Sequence, residues 1–183
     1  MNKRNLEWLI EKYMNFLSQF GMEEQNIIDY YETWKKTNTE SIDNYLWFIF
    51  NNLLNENKIQ SNDVLGFYER NLKIYSAMLD FRRRVEFKKA NEILALYNHT
   101  KVNIDLLNRG NGLHYHFGMI GCNDCEKSKD LTGTYISINE ALENKTIPYS
   151  ECTRRQGCAC CMVLVVKRDN EGNIMYNLDT PNH

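Results

Sequence analysis

All six cysteines of this 183-residue chain lie between positions 122 and 161, in the pattern C-x2-C-x26-C-x5-C-x-C-C, and residues 1–121 contain none. The start, Met1-Asn-Lys-Arg-Asn-Leu-Glu-Trp8, has basic residues but no apolar stretch behind them, so a reducing cytoplasm is the expected compartment. Clustered cysteines there are more often metal ligands than disulfides. Cys122-x2-Cys125 makes a tight loop that aims two thiolates at one point, and Gly118 and Gly121 let the backbone turn around it. A structural zinc site needs four such ligands and supplies folding energy directly. Cys122, Cys125 and Cys152 are the expected ligands, with Cys158 or Cys160 as the fourth. In an extended chain Cys158 and Cys160 share one face, and Cys161 faces away into strand core. The competing readings are thiols used as small core residues, disulfide or redox chemistry, and an iron–sulfur cluster.

The first hundred residues carry helical periodicity. Leu6, Leu9, Ile10, Tyr13, Leu17 and Phe20 predict a helix over 3–20 that stops at Gly21. A second is expected from 23 or 24 to 36. A third, over 41–55, has the widest apolar face and should be the most buried. From the cap cluster Ser61-Asn-Asp63 a proline-free pattern runs to Tyr97. It predicts one helix of more than thirty residues ending at 98–100, or one with a kink or break near Arg82–Arg84. After residue 100 the pattern changes. Short strands are expected at 113–117 and 134–138, a short helix at 139–144, and a terminal β-hairpin from 162–166 and 173–178 around Arg168-Asp-Asn-Glu-Gly172. The expected class is α+β: a helical domain, 1–105, with a long helix, then a small zinc-stabilised α+β module, 106–183.

Cys122-x2-Cys125, Thr132-Gly133-Thr134-Tyr135-Ile136-Ser137-Ile138-x2-Ala141, Ile147-Pro148, Cys152 and Gly157-Cys158-Ala159-Cys160 together resemble a C-terminal cysteine motif. It is found in phage head-morphogenesis (minor head) proteins and related mobile-element proteins. Its elements are a cysteine pair, a G-x-Y-x-I-x-x-A strand and helix, a proline-bearing segment and a terminal C-R-C. The resemblance covers residues 122–161. Tyr149-Ser-Glu151 and Ala159 stand where the motif has proline–histidine and arginine. It implies a cysteine-built module of phage or mobile-element ancestry, without transferring a role in capsid assembly to the helical part.

Arg82-Arg-Arg84 with Lys88 and Lys89 is the strongest basic cluster, and Arg154-Arg155 could extend it. It reads either as a solvated helix face or as a contact for nucleic-acid phosphate or an acidic partner. The net charge of −2 argues against a protein held to nucleic acid by overall charge. His114-Tyr-His116 has the spacing of paired ligands on one strand face, and His99 is expected at a helix end. There is no phosphate-binding glycine loop, no H-E-x-x-H and no deaminase pattern.

The leading expectation is therefore a zinc-stabilised phage or mobile-element accessory protein. It would bind a host macromolecule, a protein or protein–nucleic acid complex, for example as an inhibitor of a host defence system such as an anti-CRISPR. The alternatives are a metal-dependent nuclease or hydrolase using His114 and His116, and a phage assembly protein. No run of apolar residues is long enough to predict a membrane span.

Overall fold

A computed structural model describes residues 4–60, 63–85, 90–143, 147–148, 152–154 and 157–177. The chain divides into two compact units, 1–60 and 61–183.

The first unit holds α1 (Leu6–Leu17), extended by a 3-10 turn at Ser18–Phe20, then α2 (Glu24–Thr37) and α3 (Ile42–Gln60). Each start is set by local chemistry. The Asn5 side chain accepts from the Trp8 N–H at 3.0 Å, and Glu23 and Asn26 form a reciprocal capping box. Gly21 ends the first helix in the left-handed region, φ 77°, where its lack of a Cβ removes the steric penalty. The core is made of Leu9, Tyr13, Leu17 and Ile27 against Ile42, Tyr45, Leu46, Ile49, Phe50 and Leu53. In this unit α3 contributes most of the buried positions, as its broad apolar face predicts. It runs to Gln60 instead of stopping near 55, because nothing in Glu56-Asn-Lys-Ile-Gln60 breaks a helix and Asn57 is itself buried.

Tyr45 is the polar keystone of that core. Its ring contacts Tyr31 at 5.0 Å and Trp34 at 5.3 Å between centroids. Its hydroxyl donates to the buried Ile27 carbonyl at 2.8 Å. Burial, then the neighbouring Tyr30 and Tyr31 phenols, push its pKa upward. A raised phenol pKa contributes stability that is complete below the unfolded value of about 10 and is lost as pH rises beyond it. Tyr45→Phe should therefore cost about 1 kcal/mol at neutral pH. That deficit should shrink above pH about 10. Urea unfolding at the two pH values checks both.

The second unit opens on α4 (Val64–Val85) and α5 (Ala90–Leu107), so the pattern is two helices, as the alternative of a break near Arg82–Arg84 has it, and not one long helix. The reason is burial. Ile74, Met78, Leu79 and Phe81 of α4 and Ala90, Ile93, Leu94 and Val102 of α5 are all buried, and the two helices pack on each other. One straight helix would leave that stripe in water. Asp63 caps α4 by accepting from the Leu65 and Gly66 N–H groups. The expected end at 98–100 is also moved. Thr100 and Val102 are buried, Lys101 pairs with Asp105 at 2.7 Å, and α5 continues to Leu107. His99 therefore lies within the helix instead of at its end.

Strands β1 (Tyr115–Ile120), β2 (Tyr135–Ile136) and β3 (Cys161–Val166) form an antiparallel sheet of order β2-β1-β3. Phe117 pairs with Leu164 and Met119 with Met162, which sets Phe117, Met119 and Met162 in the core. Two short helices, α6 (Glu126–Lys129) and α7 (Ile138–Glu143), lie before and after β2. Ser137 and Glu140 cap α7 reciprocally, at 2.7 and 3.2 Å. Because α5 packs on β3 and α7, the 105/106 boundary read from sequence falls inside this unit. The terminal hairpin turns at Asp169, whose side chain accepts from the Glu171 and Asn173 N–H groups. Its return arm consists of isolated bridges, Arg168 to Ile174 and Tyr176 to Leu113, instead of a continuous strand. The fold is thus mixed α+β. No helix among the described residues is long and apolar enough to cross a membrane.

Candidate metal centre

The Cys122–Cys125 loop leaves the end of β1 and is held shut by Ser128. The Cys125 N–H donates to the Cys122 carbonyl at 3.1 Å. The Ser128 hydroxyl accepts from the Cys122 N–H at 3.1 Å and lies 2.9 Å from the Cys122 carbonyl and 3.0 Å from that of Cys125. Ser128 is fully buried, so these bonds are shielded from water. The loop also has no room for a side chain at its entry. A Cβ on Gly121 would meet the Ser128 carbonyl oxygen at 1.7 Å.

The second cysteine segment meets this loop through three sulfurs. The Cys152 thiol feels both neighbours: behind the dominant effect of burial, Cys125 raises its pKa and Cys158 lowers it. Cys125 is fully buried, and the Thr153 hydroxyl donates to its sulfur at 3.7 Å. The Thr153 backbone N–H, followed by the Ser128 and Thr153 side chains, lowers the Cys125 thiol to about 6 against the opposing effect of burial. Burial pushes the Cys152 thiol up. Cys158 is braced from behind by both helices: its N–H donates to Asn91 Oδ1 at 3.2 Å, and its carbonyl accepts from Arg83 Nη2 at 3.1 Å. Cys158 and Cys160 are both buried on either side of exposed Ala159, the alternation of an extended segment. Of the two candidates for fourth ligand, Cys158 is the one that influences the Cys152 thiol. Cys161 heads β3 opposite Ile120, and burial raises its thiol.

All six cysteines are free thiols. Among the described residues, no group of three or more His, Cys, Asp or Glu side chains is arranged to hold a metal ion. What the structure supplies is thiol donors: Cys125, favoured as thiolate by backbone and hydroxyl donors, with Cys152 and Cys158 near enough to influence one another, beside a C-x2-C loop. Thiolates are among the ligands that zinc takes.

The pKa shift of Cys125 has a pH consequence. A depressed thiol pKa contributes stability that is complete above the unfolded value of about 8.5 and lost as pH falls. The lower limit of that window is the folded value of about 6. The 61–183 unit should lose stability across this interval. Hydrogen exchange of β1 amides at pH 6 and pH 8.5 measures it.

The basic residues are mostly engaged within the chain. Arg83 is spent on the Cys158 carbonyl, Arg84 pairs with Asp80 at 2.9 Å, and Arg154 lies 3.3 Å from Asp124. Arg82 is half-buried on α4, and Lys88, Lys89 and Arg155 lie outside the described residues. The histidines are not brought to the sulfurs as a metal-holding group. The backbone of His114 bridges Met175 and Lys167. The ring of His116 stacks on Tyr135 at 4.2 Å, and burial, then Lys167, lowers its pKa. Ser128, Thr153, Asn91 and the bracing role of Arg83 are absent from the sequence reading. Only Ser128, three residues after Cys125, has a spacing that could have drawn notice.

Comparison with known protein families, curated proteins and solved structures finds no match to this chain.

Proposed function

We propose that this protein is a zinc-stabilised accessory protein of phage or mobile-element origin that acts by binding a host protein or protein–nucleic acid complex. The observation that supports the zinc part is that the Cys152 thiol is influenced by both Cys125 and Cys158, beside the Cys122–Cys125 loop. Cys122 completes four thiolates. Metal binding draws the ligands into one tetrahedral set and couples that step to ordering of the 152–158 segment. The metal is structural, closed by four protein ligands with no open position for chemistry. The ancestry rests on the resemblance of residues 122–161 to the head-morphogenesis cysteine motif, and inhibition of a host defence complex is the role that ancestry favours.

The binding surface in this reading is the exposed side of α4 around Arg82 and Arg84. The Arg84–Asp80 pair is more than half exposed on both sides, at 53% and 54%. Such pairs contribute about 0–1 kcal/mol and yield to a better anionic partner. The test is capture of a host component by the full chain, reconstituted with purified partner, against an Arg82→Glu/Arg84→Glu variant. Loss of binding with zinc retained is the expected result. Binding unchanged by the double reversal contradicts this surface, and absence of any host partner contradicts the accessory role.

A further inference from the structure

A cavity of about 520 Å3 lies between α4, α5 and the segment entering β3, and its walls include Leu79, Arg83, Leu94, Tyr97, Asn98 and Cys160. Two of these residues bring buried donors that have no partner among the described residues: Arg83 Nε and Asn98 Nδ2. Asn98 is only 2% exposed, so water does not readily satisfy it. Native interiors rarely leave such groups unpaired, and two on the wall of one cavity call for an acceptor there. The guanidinium is already fixed in place. Its Nη2 donates to the Cys158 carbonyl at 3.1 Å, and the unpartnered Nε–H lies on the Nη2 side of the same guanidinium. That edge is the fork that matches a carboxylate with two parallel hydrogen bonds. Asp80 also reaches the cavity, but its carboxylate is taken by Arg84, at 3.0 and 3.2 Å.

We infer that this cavity is a binding site for a small organic carboxylate, held by Arg83 and Asn98, with its apolar body against Leu79, Leu94 and Tyr97. Donors without a free acceptor select an anion over a cation. The apolar wall selects an organic body over an inorganic ion, and the volume is that of small-molecule sites. The nearby Asp80 carboxylate disfavours a dianion. Donors on a cavity wall, at a guanidinium already packed on Cys158, suit a small molecule better than the phosphates of a polymer, which meet exposed cations. The inference does not rest on the proposed partner surface, although Asp80 lies at both.

The test is titration calorimetry of the full chain with benzoate and, separately, inorganic phosphate. Benzoate should bind once per chain and more tightly than phosphate. Arg83→Lys, which keeps the charge but loses the forked edge, should weaken benzoate about tenfold or more, as should Asn98→Leu. Both variants are first shown to retain the wild-type melting profile. If Arg83→Lys fails that check, Asn98→Leu alone decides the matter. No benzoate binding at millimolar concentration, equal binding of phosphate, or unchanged affinity in a folded variant would overturn the assignment.

Discussion

Cys125→Ser should abolish the folded state of residues 61–183 while leaving α1–α3 intact. Structural zinc contributes about 10–16 kcal/mol of apparent binding energy in small zinc-folded peptides, against a typical net stability of about 5–15 kcal/mol for a whole domain. In the proposed zinc site, removing one thiolate of four forfeits much of that. Cys125 is fully buried, and its sulfur accepts from the Thr153 hydroxyl. A serine there leaves Thr153 and Cys152 facing a hydroxyl that binds zinc poorly. The 1–60 unit contains no cysteine and has its own core, so it has no stake in the metal. Hydrogen exchange resolved by peptide on the full chain reads both outcomes together. Protection should vanish in β1 and β3 and persist in α1 and α3. Equal protection in the wild type and the variant would show that the sulfur cluster is ordinary core.

Gly121→Ala should be nearly as damaging without touching a sulfur. The new Cβ would stand 1.7 Å from the Ser128 carbonyl oxygen, 2.7 Å from its carbon and 2.9 Å from Thr132 Oγ1. A side-chain tip can swing aside, but the Ser128 carbonyl is backbone. It belongs to a loop tied at both cysteines by the Ser128 hydroxyl and at Gly121 by Thr132, which accepts from the Gly121 N–H at 2.9 Å. Relief of the clash must therefore open the Cys122–Cys125 loop itself. Overpacking a well-filled site costs about 1–3 kcal/mol, and a clash with fixed backbone belongs at or above the top of that range. The expected result is a loss of about 3 kcal/mol in chemical denaturation, with weaker zinc retention against a competing chelator. Gly133→Ala serves as the contrast: nothing lies within 4 Å of its Cβ, and only its positive φ of 86° is strained. Its cost should be about 1 kcal/mol, without effect on zinc.

The sequence made the helices of residues 1–60 legible because their apolar residues recur at helical spacing and Gly21 stops the first, whereas the Asn5 cap, which starts α1 at Leu6 instead of residue 3, was missed. The α4–α5 division was not legible in the same way. Both helices share one continuous proline-free pattern, and what separates them is the burial of Met78 and Leu79 in one and Leu94 in the other. That pairing is tertiary and leaves no mark in the periodicity. The same packing explains why α5 belongs with the sheet and why Arg83, read as a surface cation, turns inward to Cys158. The alternation of Cys158 and Cys160 was legible, since an extended chain places them on one face. Their separation was not: Cys158 is held by Asn91 and Arg83 through its backbone, whereas Cys160 walls the cavity beside Arg83. A one-dimensional spacing cannot tell two residues of the same face apart.

The central claim is the metal. Elemental analysis of the full chain, purified without added metal and measured before and after chelation, tests it most directly. The account predicts about one zinc per chain. It also predicts that chelation removes the zinc together with hydrogen-exchange protection of β1, and that both return on adding zinc. A chain that binds no zinc and keeps β1 protected in chelator would contradict it.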